Sequence, residues 1–150
     1  IMGQYSMPLG SLYSASKYAL EGLTEGLYYE LKDHGVSATT IVPGGHRTSF
    51  LDSVVWATNA HSSESAYGAT TQAFIKFMQK LAKRPAAPGA EAVSLATVKL
   101  VRKKAMQKSL PREVIVGKDA WMVVILRNIL PHSFYHSLMS RSYQTMLKRS

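Results

Sequence analysis

Tyr13 and Lys17 stand four residues apart, so on a helix their side chains share one face. A phenol ionises near pH 10 when left alone and is a poor acid or base at neutral pH. An ammonium group held a few ångströms away favours the phenolate. The pair then becomes a usable proton donor and acceptor for a carbonyl or an alcohol. Tyr28 and Lys32 repeat the same spacing and serve as a control. At 100° per residue, Tyr13 and Lys17 fall within about 40° of the stripe marked by Leu20, Leu27 and Leu31. Tyr28 and Lys32 fall about 60° and 100° away from it. A lysine on a core-facing stripe needs a buried partner, whereas one on the flank needs only water. Geometry alone leaves the first pair open between chemistry and packing, and reads the second as a solvated flank.

The elements that must position this pair follow from pattern. Ser11 is the expected N-cap of a helix running to about residue 33, with Gly35 as its stop. Its buried stripe is expected to be Leu20, Leu27 and Leu31. Residues 36–42 (VSATTIV) are β-branched, bounded by Gly35 and Pro43-Gly44, and read as a strand. A long loop follows to about residue 63, carrying Phe50, Leu51, Val54, Val55 and Trp56, more apolar surface than a plain linker needs. Two helices are expected at about 64–83 and 88–107, separated by Pro85-Ala86-Ala87-Pro88-Gly89. Residues 112–116 (REVIV) read as a second strand ended by Gly117. Residues 119–130 read as a largely buried helix with Asp119 as N-cap, and residues 132–148 as a last amphipathic helix after Pro131. Two strands and five helices make an α/β pattern. The first strand is apolar on both faces, as strands of a covered parallel sheet are, so its other neighbours are expected upstream of Ile1.

The chain has 150 residues, the length of one domain, and 46% hydrophobic with 18% charged residues reads as globular. It contains no cysteine, which excludes disulfides and thiolate metal sites. The five histidines (34, 46, 61, 132 and 136) are read as lacking the spacing of a metal pair on one helix face, and no metal is expected. The net charge of +9 is uneven: residues 1–75 carry a net −3 and residues 76–150 a net +12. Arg102-Lys103-Lys104 and Lys108 read as a solvated helix end. The charge alone does not imply nucleic acid, since no recognised binding motif accompanies it. The longest apolar run, residues 120–130, is broken by Arg127 and Asn128 and is too short to span a bilayer.

Tyr13-Ser14-Ala15-Ser16-Lys17, followed by Ala19-Leu20-Glu21-Gly22-Leu23, resembles the catalytic helix of the short-chain dehydrogenase/reductase family. That family commonly writes the segment Y-x-A-S-K with A-L-E-G-L behind it. Pro43-Gly44-Gly45-His46-Arg47-Thr48-Ser49-Phe50 matches its next landmark, P-G-x-V-x-T-x-F, and Val114 to Asp119 resembles its last strand and G-x-D turn. The resemblance covers essentially the whole chain. It implies the C-terminal portion of a doubly wound, Rossmann-type parallel sheet, with residues 1–150 being part of a single NAD(P)-binding domain. Tyr13 is then the general acid/base, and Lys17 holds the nicotinamide ribose and assists the tyrosine. Pro43 and Gly44 shape the loop beneath the nicotinamide, His46 offers backbone groups to the carboxamide, and Thr48 offers its hydroxyl. His46 stands where the family usually has valine; a backbone role survives that change. Phe50, Leu51 and Trp56 fall in the family's substrate-covering segment, which favours a lipophilic substrate, with plain packing as the competing reading.

Two parts of the family pattern are not in the chain. The catalytic serine would fall one position before Ile1, and the glycine-rich turn that takes the pyrophosphate at a helix N-terminus would lie much farther upstream. The expectation is therefore a piece of an oxidoreductase that interconverts an alcohol and a carbonyl with NAD or NADP, inactive by itself. The rival is a non-catalytic fragment or pseudoenzyme acting in protein association. The resemblance further implies a homo-oligomer when full length. The basic last helix leaves room for peripheral membrane contact, so location is open between the cytoplasm and a membrane periphery.

Overall fold

The computed structural model describes residues 1–60, 62–84 and 87–148. His61, Pro85 and Ala86, named above, lie outside the described residues, as do Arg149, Ser150 and the side chains of Met146, Leu147 and Lys148. The chain divides into two compact units, residues 1–44 with 90–124 and residues 45–89 with 125–150.

The first unit opens on helix α1, Ser11–Glu30. Gly10, not Ser11, is its N-cap, and no side chain caps it; Ser11 is already helical. The helix tightens into a 3₁₀ turn at Lys32–His34, and Gly35 ends it in the left-handed conformation at φ +71°. Only glycine adopts that conformation without a Cβ penalty. Strand β1 is Thr40–Pro43 and strand β2 is Glu113–Val116. They pair in parallel, Thr40 opposite Glu113 through Pro43 opposite Val116. A parallel pair needs a crossover. Helix α3, Glu91–Ala105, supplies its packed part, lying against both strands.

Four residues expected in the first strand, residues 36–39, stand outside it. Their would-be partner segment ends in Pro111, which has no N–H to give a ladder. Thr39 instead sends its Oγ1 to the Pro111 carbonyl at 3.0 Å. Lys104 of α3 takes the Gly35 carbonyl and Ser37 Oγ at 2.8 and 3.0 Å.

The expected leucine stripe of α1 is also corrected. Leu20 and Leu23 are exposed, and Leu27 and Leu31 only half-buried. The more covered face runs through Ser14, Lys17, Glu21, Thr24 and Tyr28, at spacings of three and four. On the exposed side of the helix, Glu25 meets an arginine that also pairs with strand β2. The Arg112 guanidinium reaches the carboxylates of Glu25 and Glu113 at 3.7 and 3.1 Å.

Helix α4, Lys118–Ile129, was expected to be largely buried, yet only Ala120 and Val124 are. They stand four apart and define one packed face. Trp121, Met122, Ile125 and Ile129, apolar as they are, lie on exposed faces of the same helix. Asp119 is its second residue, not its N-cap.

The second unit holds helix α2, Gly68–Ala82, packed on α5, His132–Lys148. Phe74, Thr71 and Tyr135 are buried there. The loop expected over residues 43–63 contains a 3₁₀ turn, Ser49–Ser53. An isolated parallel bridge joins Arg47 to Gly89, with the Arg47 N–H donating to the Pro88 carbonyl at 2.9 Å. No helix among the described residues is long and apolar enough to cross a membrane.

Candidate active site

The first turns of α1 bring Tyr13 and Lys17 together. Lys17 Nζ stands 5.3 Å from the centre of the Tyr13 ring. A cation within about 6 Å of a ring face is drawn to its quadrupole, so the contact also fixes the lysine. Lys17 is half-buried, and Tyr13 is 40% exposed. Ser16 Oγ donates to the Tyr13 carbonyl at 2.7 Å. Ser14, the next residue round the turn, is buried, and its Oγ has no hydrogen-bond partner among the described residues.

Pro43 and Gly44 leave the C-terminal end of β1. The Gly44 N–H donates to the Val116 carbonyl at 2.8 Å and extends the ladder by one bond. The Ile1 nitrogen donates to the Pro43 carbonyl at 3.0 Å. The Asp119 carboxylate occupies the place where a Gly44 side chain would begin, so any Cβ there collides with it. Asp119 is thus the residue that packs this turn, a role the sequence reading missed by treating it as a cap. The signal was present in the Gly117-Lys118-Asp119 turn.

Gly3 was missed as well. A Cβ on it would meet Glu21 Cγ at 2.6 Å and the Lys17 carbonyl oxygen at 2.8 Å, so residues 1–4 cross α1 where only glycine fits. Beside this crossing, burial pushes the Glu21 carboxyl above its ordinary value, and Glu113 adds to the shift while Arg112 opposes it.

In the second unit, His46 is half-buried and Thr48 is exposed. Thr48 Oγ1 accepts the Phe50 N–H at 3.3 Å and caps the 3₁₀ turn; a hydroxyl that accepts can still donate. Phe50 is 47% exposed and Val55 95% exposed. Leu51 is half-buried. Trp56 packs edge to face on Phe74, ring centres 6.4 Å apart, which is the packing reading of that residue.

An open groove of about 480 Å³ lies between α3 and β2, lined by Leu95, Lys99, Leu100, Val114 and Val116 among others. It contains none of the residues nominated from sequence. No group of three or more potential metal ligands occurs among the described residues. One reading about histidine is corrected: His132 and His136 are one helical turn apart on α5, with ring centres 5.3 Å apart.

Comparison with known proteins bears on this geometry. The family model for short chain dehydrogenase matches residues 1–59, which include Tyr13, Lys17 and the turn after β1. An uncharacterized oxidoreductase, YusZ of Bacillus subtilis, is 26% identical over 94% of this chain and 49% of its own length. A probable short-chain type dehydrogenase/reductase, VdlC of Helicobacter pylori, is 29% identical over 92% of this chain and 48% of its own. An uncharacterized oxidoreductase of Escherichia coli, YbbO, is 44% identical over 36% of this chain and 20% of its own. The chain therefore spans about half the length, or less, of these curated relatives.

Proposed function

We propose that this chain, similar over residues 1–59 to the short chain dehydrogenase family, belongs to an oxidoreductase of that family and carries its proton transfer between an alcohol and a carbonyl. The observation that carries this reading is the Lys17 ammonium held 5.3 Å from the Tyr13 ring centre on the first turns of α1. Residues 1–150 are read as the C-terminal part of one NAD(P)-binding domain, in keeping with the half-length match to the relatives.

A phenol and an ammonium side by side are a donor set suited to ribose hydroxyls and to a substrate oxygen, so the residues present fit a nicotinamide nucleotide, NAD or NADP. When bound, that group gives or takes the hydride at the substrate carbon. Tyr13 handles the proton: its hydroxyl protonates the carbonyl oxygen in reduction and receives the alcohol proton in oxidation. Lys17 stabilises negative charge on the phenolic oxygen and holds the ribose. Pro43 and Gly44 shape the floor of the site. Asp119 fixes that turn by filling the space beside Gly44. His46 is assigned a backbone role and Thr48 a hydroxyl contact to the carboxamide. Phe50, Leu51 and Trp56 are assigned to a lipophilic substrate, a reading supported by the open face of Phe50. The bare leucines of α1, Leu12, Leu20 and Leu23, support assembly of the full-length protein as a homo-oligomer.

The test is Tyr13→Phe in the complete protein, assayed for alcohol oxidation and for cofactor binding separately. Turnover should fall steeply while cofactor affinity stays within about twofold, because only the acidic hydroxyl goes. Substantial remaining activity removes Tyr13 from this role.

A further inference from the structure

We propose that His132 and His136 form a two-imidazole chelate for a divalent transition metal on the first turn of α5. Both residues lie on the helix that begins at His132, and both are exposed. Their ring centres are 5.3 Å apart and their planes tilted by 51°.

The separation suits a shared ion. A metal–nitrogen bond of about 2.0–2.1 Å puts an imidazole ring centre about 3.2 Å from the metal. With one nitrogen of each ring turned to a common ion, two ring centres 5.3 Å apart subtend about 110° at it, close to a tetrahedral angle. Rings paired only by stacking need no such angle.

The site is also held in place. Tyr135, between the two histidines in sequence, is buried, and its ring meets His136 edge to face with centres 5.5 Å apart. The Tyr135 N–H donates to the Pro131 carbonyl at 3.0 Å, which sets the first turn and with it the spacing of the two imidazoles. One rotamer is thus restrained before a metal arrives, and less side-chain entropy is lost on binding.

Ligand chemistry defines the metal class. Two imidazole ligands, with no carboxylate joining them among the described residues, suit Cu²⁺, Ni²⁺ or Zn²⁺ and not Mg²⁺ or Ca²⁺. Among the three, Cu²⁺ binds tightest by the general order for nitrogen ligands. With two protein ligands, water fills the remaining positions. The ion bridges residues one turn apart and so clips the start of α5. This site stands on one helix of the second unit and is independent of the oxidoreductase reading.

Calorimetric titration of the complete protein with Cu²⁺, Zn²⁺ and Mg²⁺ at pH 7.5 tests it. One equivalent of Cu²⁺ should bind, Zn²⁺ more weakly, and Mg²⁺ not at all. His132→Ala and His136→Ala should each weaken Cu²⁺ binding at least about tenfold, since either leaves one ligand in place of a chelate. His34→Ala should stay within about twofold. Electron paramagnetic resonance of the Cu²⁺ form supplies a readout that a folding defect does not imitate: two coordinated nitrogens in the unaltered chain, one in either variant. Affinity unchanged in both variants, a single nitrogen in the unaltered chain, or no Cu²⁺ binding overturns the proposal.

Discussion

Two tyrosine–lysine pairs of equal spacing sit at the two ends of one helical segment, and they end differently. At the head of α1, Lys17 Nζ lies 5.3 Å from the Tyr13 ring centre. At the tail, α1 stops at Glu30, so Lys32 falls in the 3₁₀ turn beyond it. A 3₁₀ turn has three residues per turn, and residues four apart no longer share a face. Tyr28 packs edge to face on Tyr29, ring centres 5.5 Å apart, and the Tyr29 hydroxyl donates to Glu25 Oε1 at 3.2 Å. Spacing therefore makes a pair only where the helix persists through both residues. Helix α1 continues beyond Lys17 to Glu30 and holds the head pair in register; the tail pair is cut by its own helix end.

The contrast breaks or sharpens most at Tyr13. In the complete protein Tyr13→Phe should lower turnover by about 10²–10⁴-fold, the usual weight of a positioned acid/base. Lys17→Ala should come next, losing about tenfold or more in turnover and weakening cofactor binding as well, as separate kinetic and binding titrations would show. A Lys17→Ala protein with unchanged cofactor affinity would leave the ribose contact without support.

The turn that serves the head pair gives a stability test. Gly44→Ala forces a methyl group against the Asp119 carboxylate and should cost about 1–3 kcal/mol in urea unfolding. In an Asp119→Ala background that cost should largely disappear, because the two sites are in contact. Equal costs in both backgrounds would show that Asp119 is not what excludes a side chain at Gly44.

Glu21 lies between the two pairs, and its effect is smaller and depends on pH. Burial, with Glu113 adding and Arg112 opposing, raises its carboxyl above the ordinary 4.5. The folded chain then keeps this proton at a pH where the unfolded chain has lost it. Stability falls as pH rises from about 4.5 through the raised value, and the favourable contribution is present below that window. Glu21→Gln should flatten this slope and make the chain more stable at neutral pH, measured by urea unfolding across pH 4 to 8. A slope that is the same in both proteins rules the effect out. The smallest change is expected at the tail: Tyr28→Phe should leave turnover within about twofold. A large loss there would end the distinction between the two pairs.

Much of this was legible before any fold was known. That the Tyr13 and Lys17 side chains meet, that Gly35 stops the first helical segment, that Pro131 breaks the chain between two helices, and that the described residues hold two strands and five α-helices all followed from local pattern. Each depends on groups within about one turn of one another, whose relative placement the backbone itself sets. His132 and His136 were legible by the same rule, and the reading overlooked a spacing of four. Other features depend on partners distant in the chain. The first strand begins at Thr40 and not at Val36 because of Pro111, some seventy residues on. The more covered face of α1 runs through Ser14, Lys17, Glu21, Thr24 and Tyr28, and its leucines Leu12, Leu20 and Leu23 are exposed. A side chain at Gly44 would have to displace the Asp119 carboxylate, which fills the space beside it. The sequence by itself determined which side chains meet within a helix; only the tertiary structure decided which face a helix presents and where a strand can pair. Those choices follow from which distant donors, acceptors and volumes arrive at the same place, and no local period encodes that.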